Sequence, residues 1–155
     1  MAGQTDARLA ELGIELPEPA APAANYVPFT RSGNTLYISG QVTFWNGELR
    51  HVGKVGDGLS ADEAKDAARI CGLNILAVAR MALDGDLDRV RQVLKLGGFV
   101  NATPDFTGHP AVINGASDLM VEVLGDRGRH ARFAVGAGGL PLGVAVEVDA
   151  IMEVD

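Results

Sequence analysis

Arg132 and Glu147 are the residues of this chain whose types and spacing could act on a small molecule. Arg132 stands in the apolar run Ala131-Arg132-Phe133-Ala134-Val135, and Glu147 in Val144-Ala145-Val146-Glu147-Val148. Gly138-Gly139-Leu140-Pro141 turns the chain between them. A cation inside such a run must be paired or solvated, because burying it alone is costly. An arginine and a glutamate brought side by side by two adjoining strands would hold a small carboxylate next to an acid/base group. The same two residues also read as an ordinary cross-strand ion pair, worth about 0–1 kcal/mol at a surface.

Other chemistry finds less support. His51, His109 and His130 are far apart and Cys71 is the single cysteine, so no metal-ligand spacing is present and neither metal nor cofactor is expected. Ser39 lies in Ser39-Gly40-Gln41 without the Gly-x-Ser-x-Gly elbow of a hydrolase. Ser117 falls within a helical pattern and reads as structural. Gly53, Gly56 and Gly58 punctuate a loop, but the Lys-Ser/Thr of a phosphate loop does not follow. Glu147 and Asp149 share one face of a strand, where acidic pairs are usually solvated.

The totals bound the partners. A chain of 155 residues, 47% hydrophobic and 21% charged, forms one domain with a real core. Its net charge is −7, and its 13 basic residues are scattered among acids, which argues against nucleic acid. No apolar run approaches the roughly 20 residues of a membrane span. Met1-Ala2-Gly3-Gln4-Thr5-Asp6 lacks the features of a signal peptide, and one cysteine fits a reducing cytoplasm.

The elements that must position these residues follow from periodicity and punctuation. Asp6 to Leu12 reads as a short helix stopped by Gly13, followed by an extended arm containing Pro17, Pro19 and Pro22. Leu36 to Val42 alternates as a strand, with Leu36, Ile38 and Val42 on one side and Tyr37, Ser39 and Gln41 on the other. Asn25 to Thr30 is its expected partner, and Asn46-Gly47 signals a tight hairpin. Ser60-Ala61-Asp62-Glu63 is a capping box opening a helix with the stripe Ala64, Ala68, Cys71, Ile75, Val78 and Ala82. On that stripe Cys71 reads as packing rather than as a nucleophile.

Val90 to Val100 reads as a strand, in which Gly97-Gly98 implies a bulge or a close approach. Pro110 starts a second helix that turns Val112, Ala116, Leu119, Met120 and Val123 inward. Two strands, Ala131–Ala137 and Val144–Val154, close the chain. The result is an α+β fold, a mixed sheet with two helices packed on one face. Residues 1–24 form a short helix and proline-rich arm, and 25–155 the domain. Two helices cover only one side of such a sheet, so apolar residues left on the other side need a partner, most economically another copy.

These residues carry a resemblance. Ala21-Pro22-Ala23-Ala24-Asn25-Tyr26, Leu36-Tyr37-Ile38-Ser39-Gly40-Gln41, the capped helix with Asn74, Val112-Ile113-Asn114, Ala131-Arg132, Leu140-Pro141 and Val146-Glu147-Val148 together resemble the RidA/YjgF family of enamine/imine deaminases. The likeness spans about Ala21 to Glu153, and the added N-terminal segment matches a longer subgroup. It implies a chorismate mutase-like fold and a homotrimer with a barrel-like centre and clefts between subunits. It further implies that Arg132 grips a substrate carboxylate and that Glu147 orients or activates water. Tyr26 would close the cleft, Gly40 would offer backbone, and Asn114 would line it. Phe133 and Ala134 stand where the best-studied members have Ser and Cys; Ala134 retains the backbone N–H that the cysteine supplies. The segment from Asn114 to Arg132 is one residue longer than in those members.

The expected function is hydrolytic deamination of small 2-enamino or 2-imino acids to 2-oxo acids and ammonia. The alternative is a non-catalytic trimer that binds a small carboxylate or acts in regulation. Ribonuclease activity is disfavoured by the acidic charge.

Overall fold

The computed structural model describes residues 3–22 and 24–155; Met1 and Ala2 of the opening segment and Ala23 of the Ala21–Tyr26 motif lie outside the described residues. The chain runs α1 (Gln4–Leu12), β1 (Phe29–Ser32), β2 (Thr35–Gln41), β3 (Phe44–Trp45), β4 (Glu48–Leu49), β5 (Lys54–Val55) and β6 (Gly58–Leu59). It continues through α2 (Ala61–Ala82), β7 (Val90–Asn101), α3 (His109–Leu124), β8 (Ala131–Ala137) and β9 (Val146–Val154). One mixed sheet has the order β1-β2-β9-β7-β8, antiparallel except where β7 runs parallel to β8. With α2 and α3 packed on one face, this is the α+β architecture that the element order implies.

The helix signals translate directly. Glu63 N–H donates to Ser60 Oγ at 3.1 Å, and Ser60 N–H to the Glu63 carboxylate at 3.2 Å, closing the capping box of α2. Ala64, Ala68, Cys71, Ile75 and Val78 are buried as the stripe requires, but so are Ala67, Leu76 and Ala79. The apolar face is wider than one stripe because α2 packs against both the sheet and the neighbouring α3. Gly97 and Gly98 mark a close approach rather than a bulge, since the register with β9 is unbroken from Lys95 to Val100. A Cβ at Gly98 would lie 2.7 Å from the Ile113 side chain, so glycine lets α3 settle onto the sheet.

Three strand limits differ from the sequence reading, each for a physical reason. β1 begins at Phe29, not Asn25, because Pro28 has no N–H to pair; its carbonyl instead accepts Ser39 N–H at 2.9 Å. In β2 the alternation breaks after Ile38: an extra residue before Gln41 forms a bulge and turns Gln41 inward. β9 begins at Val146 because Val144 bridges Val52 and Ala145 N–H donates to His51. Beyond that start, Val146, Val148, Ala150, Met152 and Val154 are all buried on the helix side, as their alternation predicts. The opposite sheet face exposes Tyr37, Phe99, Phe133 and Val135, and the Phe99 and Phe133 rings meet edge to face at 5.3 Å.

α1 is one turn-fraction longer than the sequence suggests, starting at Gln4, and Gly3 gives it no side-chain cap. Asp88 caps it from 83 residues away: Oδ1 accepts the N–H and hydroxyl of Thr5 at 2.8 and 2.6 Å, and Oδ2 accepts Gln4 N–H at 2.8 Å. The bonds from Thr5 hold the Asp88 carboxyl below the usual carboxylate range. A depressed carboxyl stabilises the fold above its ordinary range and loses that effect as pH falls through the lowered value. α1 is therefore expected to loosen on acidification, and Asp88→Ala to loosen it at neutral pH. Amide exchange over residues 4–12 should then quicken while that of β7 is unchanged. Cys71 is fully buried, which pushes its thiol pKa up, so native-state labelling by a thiol reagent should be slow.

Candidate functional site

β7 lies between β8 and β9, so Arg132 and Glu147 are not on adjoining strands as the sequence reading supposed. Arg132 is in register with Leu96 on β7, and Glu147 with Phe99. Leu96 is buried beneath the helices and Phe99 belongs to the open face, so period two sends the two side chains to opposite faces. Within one chain they form neither an ion pair nor a joint site.

On the helix side, α3 holds the Arg132 guanidinium. Nη1 donates to Ser117 Oγ at 3.0 Å and Nη2 to the Pro110 carbonyl at 3.1 Å. Both acceptors are neutral, and among the described residues no carboxylate lies within 4.0 Å of this arginine. Six other arginines, including nearby Arg129 with Asp126, have such a partner. Arg132 thus keeps an uncompensated charge in fixed orientation, with three of its five N–H groups unused. Asn114, Asp118 and His130 line the same groove. Ala134, two residues on, shares the side of Arg132 and packs at the core's edge.

Glu147 belongs to a second cavity, of about 260 Å³, whose walls include Pro22, Tyr26, Gly40, Asn74 and Leu142. The bulge in β2 presents Gly40 to the glutamate so closely that a Cβ there would strike the Glu147 carboxyl. Burial, and secondarily the neighbouring Asp149 carboxylate, raise the Glu147 pKa above the ordinary carboxylate value. Buried Asn74 ties the floor together, its Nδ2 donating to Phe44 O at 2.7 Å and Ile70 O at 3.0 Å. Opposite, Leu142 takes a left-handed backbone (φ 59°) and is 61% exposed at the rim. Its loop is tethered by Lys54, whose Nζ donates to Gly138 O at 2.8 Å and Asn101 Oδ1 at 2.7 Å.

The structure therefore gathers Tyr26, Gly40 and Glu147 in one place and Asn114 and Arg132 in another, with Ala134 on the Arg132 side of β8 but outside that groove's lining. Sequence reasoning set Ser117 aside as structural and considered His130 only as a metal ligand. No local pattern links them: they meet because the 3-10 turn Gly125–Gly128 folds the end of α3 back toward β8. Lys54 and Leu142 carried no signal beyond the Leu140-Pro141 turn beside them.

Comparison with known proteins agrees with this architecture. The model of the family described as "YjgF/chorismate mutase-like, putative endoribonuclease" matches residues 6–154. Protein TCP17 of Trypanosoma cruzi is 48% identical over 99% of this chain and 96% of its own length. The crystal structure of Atu1372 from Agrobacterium tumefaciens, a protein of unknown function, is 50% identical with a TM-score of 0.91, covering 97% of this chain and 92% of that one. RidA from an Antarctic Psychrobacter is 30% identical with a TM-score of 0.60, covering 88% and 94%.

The raised Glu147 pKa gives a direct check. Carbon NMR of the carboxyl should show it titrating above an ordinary glutamate. Asp149→Asn should lower that value without restoring it fully, since burial is the larger cause.

Proposed function

Because the chain belongs to the YjgF/RidA family, we propose that it hydrolyses small 2-enamino or 2-imino acids to 2-oxo acids and ammonia. The observation carrying this reading is Arg132 itself, oriented by two neutral oxygens and, among the described residues, without a counter-charge. Such a guanidinium suits a planar carboxylate, which it can meet with paired N–H donors. Glu147 supplies what the reaction needs besides orientation. Its raised pKa makes it a better acceptor for a proton from water than an ordinary glutamate, and it can return that proton to nitrogen.

In the proposed reaction an enamine first takes a proton at its β-carbon and becomes the iminium ion, the protonated form of the imine. Water then adds to C2, losing a proton to the Glu147 carboxylate as the C=N π pair moves to nitrogen. The protonated carboxyl returns that proton to the amine. The resulting protonated carbinolamine collapses to the C2 carbonyl: its hydroxyl proton passes to the Glu147 carboxylate as the C–N bond breaks and ammonia departs. Free imines hydrolyse readily, so orientation and proton handling are sufficient assistance.

Arg132 and Glu147 lie on opposite faces of one chain, so the proposed site is completed by a second copy in a homotrimer. The exposed Tyr37, Phe99, Phe133 and Val135 support a covered sheet face. Light scattering is expected to give about three times 16.2 kDa; a monomer at micromolar concentration would contradict it. Phe133 and Ala134, in place of the Ser and Cys of well-studied deaminases, favour one rival, a trimer that binds small carboxylates without turning them over. RNA is a poor fit to a chain with 20 acidic and 13 basic residues. Among the described residues no helix is long and apolar enough to cross a membrane.

A coupled assay with enzymatically generated 2-aminoacrylate, beside calorimetry with a small 2-oxo acid, separates the readings. Arg132→Ala should weaken carboxylate binding by about 2–5 kcal/mol and abolish turnover. Glu147→Gln should bind the 2-oxo acid but turn over about 100- to 10,000-fold more slowly. No imine hydrolysis above background in the parent protein would favour the binding-only rival. Arg132→Ala binding and deaminating like the parent would place the site elsewhere.

A further inference from the structure

We propose that Ser117 and His130 are positioning residues that aim the Arg132 guanidinium at its anionic ligand; the inference rests on the carboxylate-binding reading of Arg132. A serine within a helix ordinarily bonds back to its own turn or faces water. Half-buried Ser117 instead turns its hydroxyl to two groups beyond its helix. Its Oγ lies 3.0 Å from Arg132 Nη1 and 2.8 Å from His130 Nε2, both outside α3.

The direction of the hydrogens follows from the last member of the chain. His130 Nδ1 is 2.6 Å from the Gly128 carbonyl, which can only accept, so Nδ1 carries a proton. In the neutral ring Nε2 is then an acceptor and takes the Ser117 hydroxyl hydrogen. The Ser117 oxygen is left with its lone pairs toward Arg132. Each group thus donates onward: Arg132 to Ser117, Ser117 to His130, His130 to Gly128. Gly128 is fixed in turn, since a Cβ there would collide with the Met120 carbonyl in the last turn but one of α3.

Two properties follow for ligand binding. The arginine is held through Nη1 by this relay and through Nη2 by Pro110 O, so little side-chain freedom remains to be lost when an anion docks. The holding groups are uncharged, so they orient the cation without neutralising it. A carboxylate in place of the Ser117 hydroxyl would instead compete with the ligand.

The test is calorimetry of the full-length protein with 2-oxobutyrate, with thermal unfolding measured alongside. Ser117→Ala is expected to weaken binding about ten- to a hundredfold, the loss of a bond to a charged group. Ser117→Thr keeps the hydroxyl and should bind within about twofold of the parent, because the relay needs only the oxygen. Simple packing would give the reverse order, since alanine fits where threonine adds a methyl. Ser117→Ala/His130→Ala should bind no worse than Ser117→Ala alone, as His130 acts through Ser117. Nitrogen NMR of the Arg132 side chain reads the same relay without ligand: its N–H exchange should quicken in Ser117→Ala and not in Ser117→Thr. Parent-like binding and exchange in Ser117→Ala, with binding lost in Arg132→Ala, would overturn the positioning role and leave the carboxylate site standing. Parent-like binding in Arg132→Ala would remove both.

Discussion

The central strand β7 is bonded along both edges, antiparallel to β9 and parallel to β8, and buries Val93, Leu96 and Val100 completely under the helices. Its two edges fix where every chemically active side chain of the later half of the chain can point. Because β7 separates the other two strands and side chains alternate, Arg132 is committed to the helix side and Glu147 to the open side. Slipping either strand by one residue would exchange its buried and exposed sets, which the apolar run of β9 forbids. Gly98 is part of the same constraint, since any larger residue there would push α3 and its Ser117 away from Arg132.

The fold was legible where a signal is local and physically complete. Ser60 and Glu63 satisfy each other's backbone, and Asn46-Gly47 can take the two positive φ values, 50° and 85°, that a tight hairpin demands. Period two also holds along β9, where Val146, Val148, Ala150, Met152 and Val154 are all buried. What the sequence hid was strand order. Arg132 and Glu147 sit on consecutive long strands, and consecutive strands usually pair; here β7 has come between them, and no local pattern records that. The bulge at Gly40 was hidden for the same reason, as an extra residue shows only against a partner strand.

The site was legible as a set of residue types, not as an arrangement. Tyr26, Gly40 and Glu147 do share a cavity, and Asn114 does share the groove of Arg132. The resemblance implied clefts between subunits, but it did not assign each residue to its side of one. The residues that tune each set were underread: Asp149, paired with Glu147 in the sequence but taken as solvated, supports its raised pKa, and Ser117 with His130 fixes Arg132. The contacts of Ser117 and His130 cross from one element to another, where sequence spacing carries no information. Each set is also electrically incomplete: Arg132 has no carboxylate within 4.0 Å among the described residues, and burial disfavours the charged form of Glu147.

That incompleteness gives the account its most direct test, complementation between two disabled chains. Arg132→Ala and Glu147→Gln chains, unfolded and refolded together at equal amounts, would form mixed trimers. In these, an intact Arg132 from one chain can face an intact Glu147 from the next. The account predicts that deaminase activity returns to about a quarter of the parent's, as random assembly restores one cleft in each mixed trimer. Mixtures as inactive as either variant alone, from a parent that is active, would show that both groups serve one and the same chain.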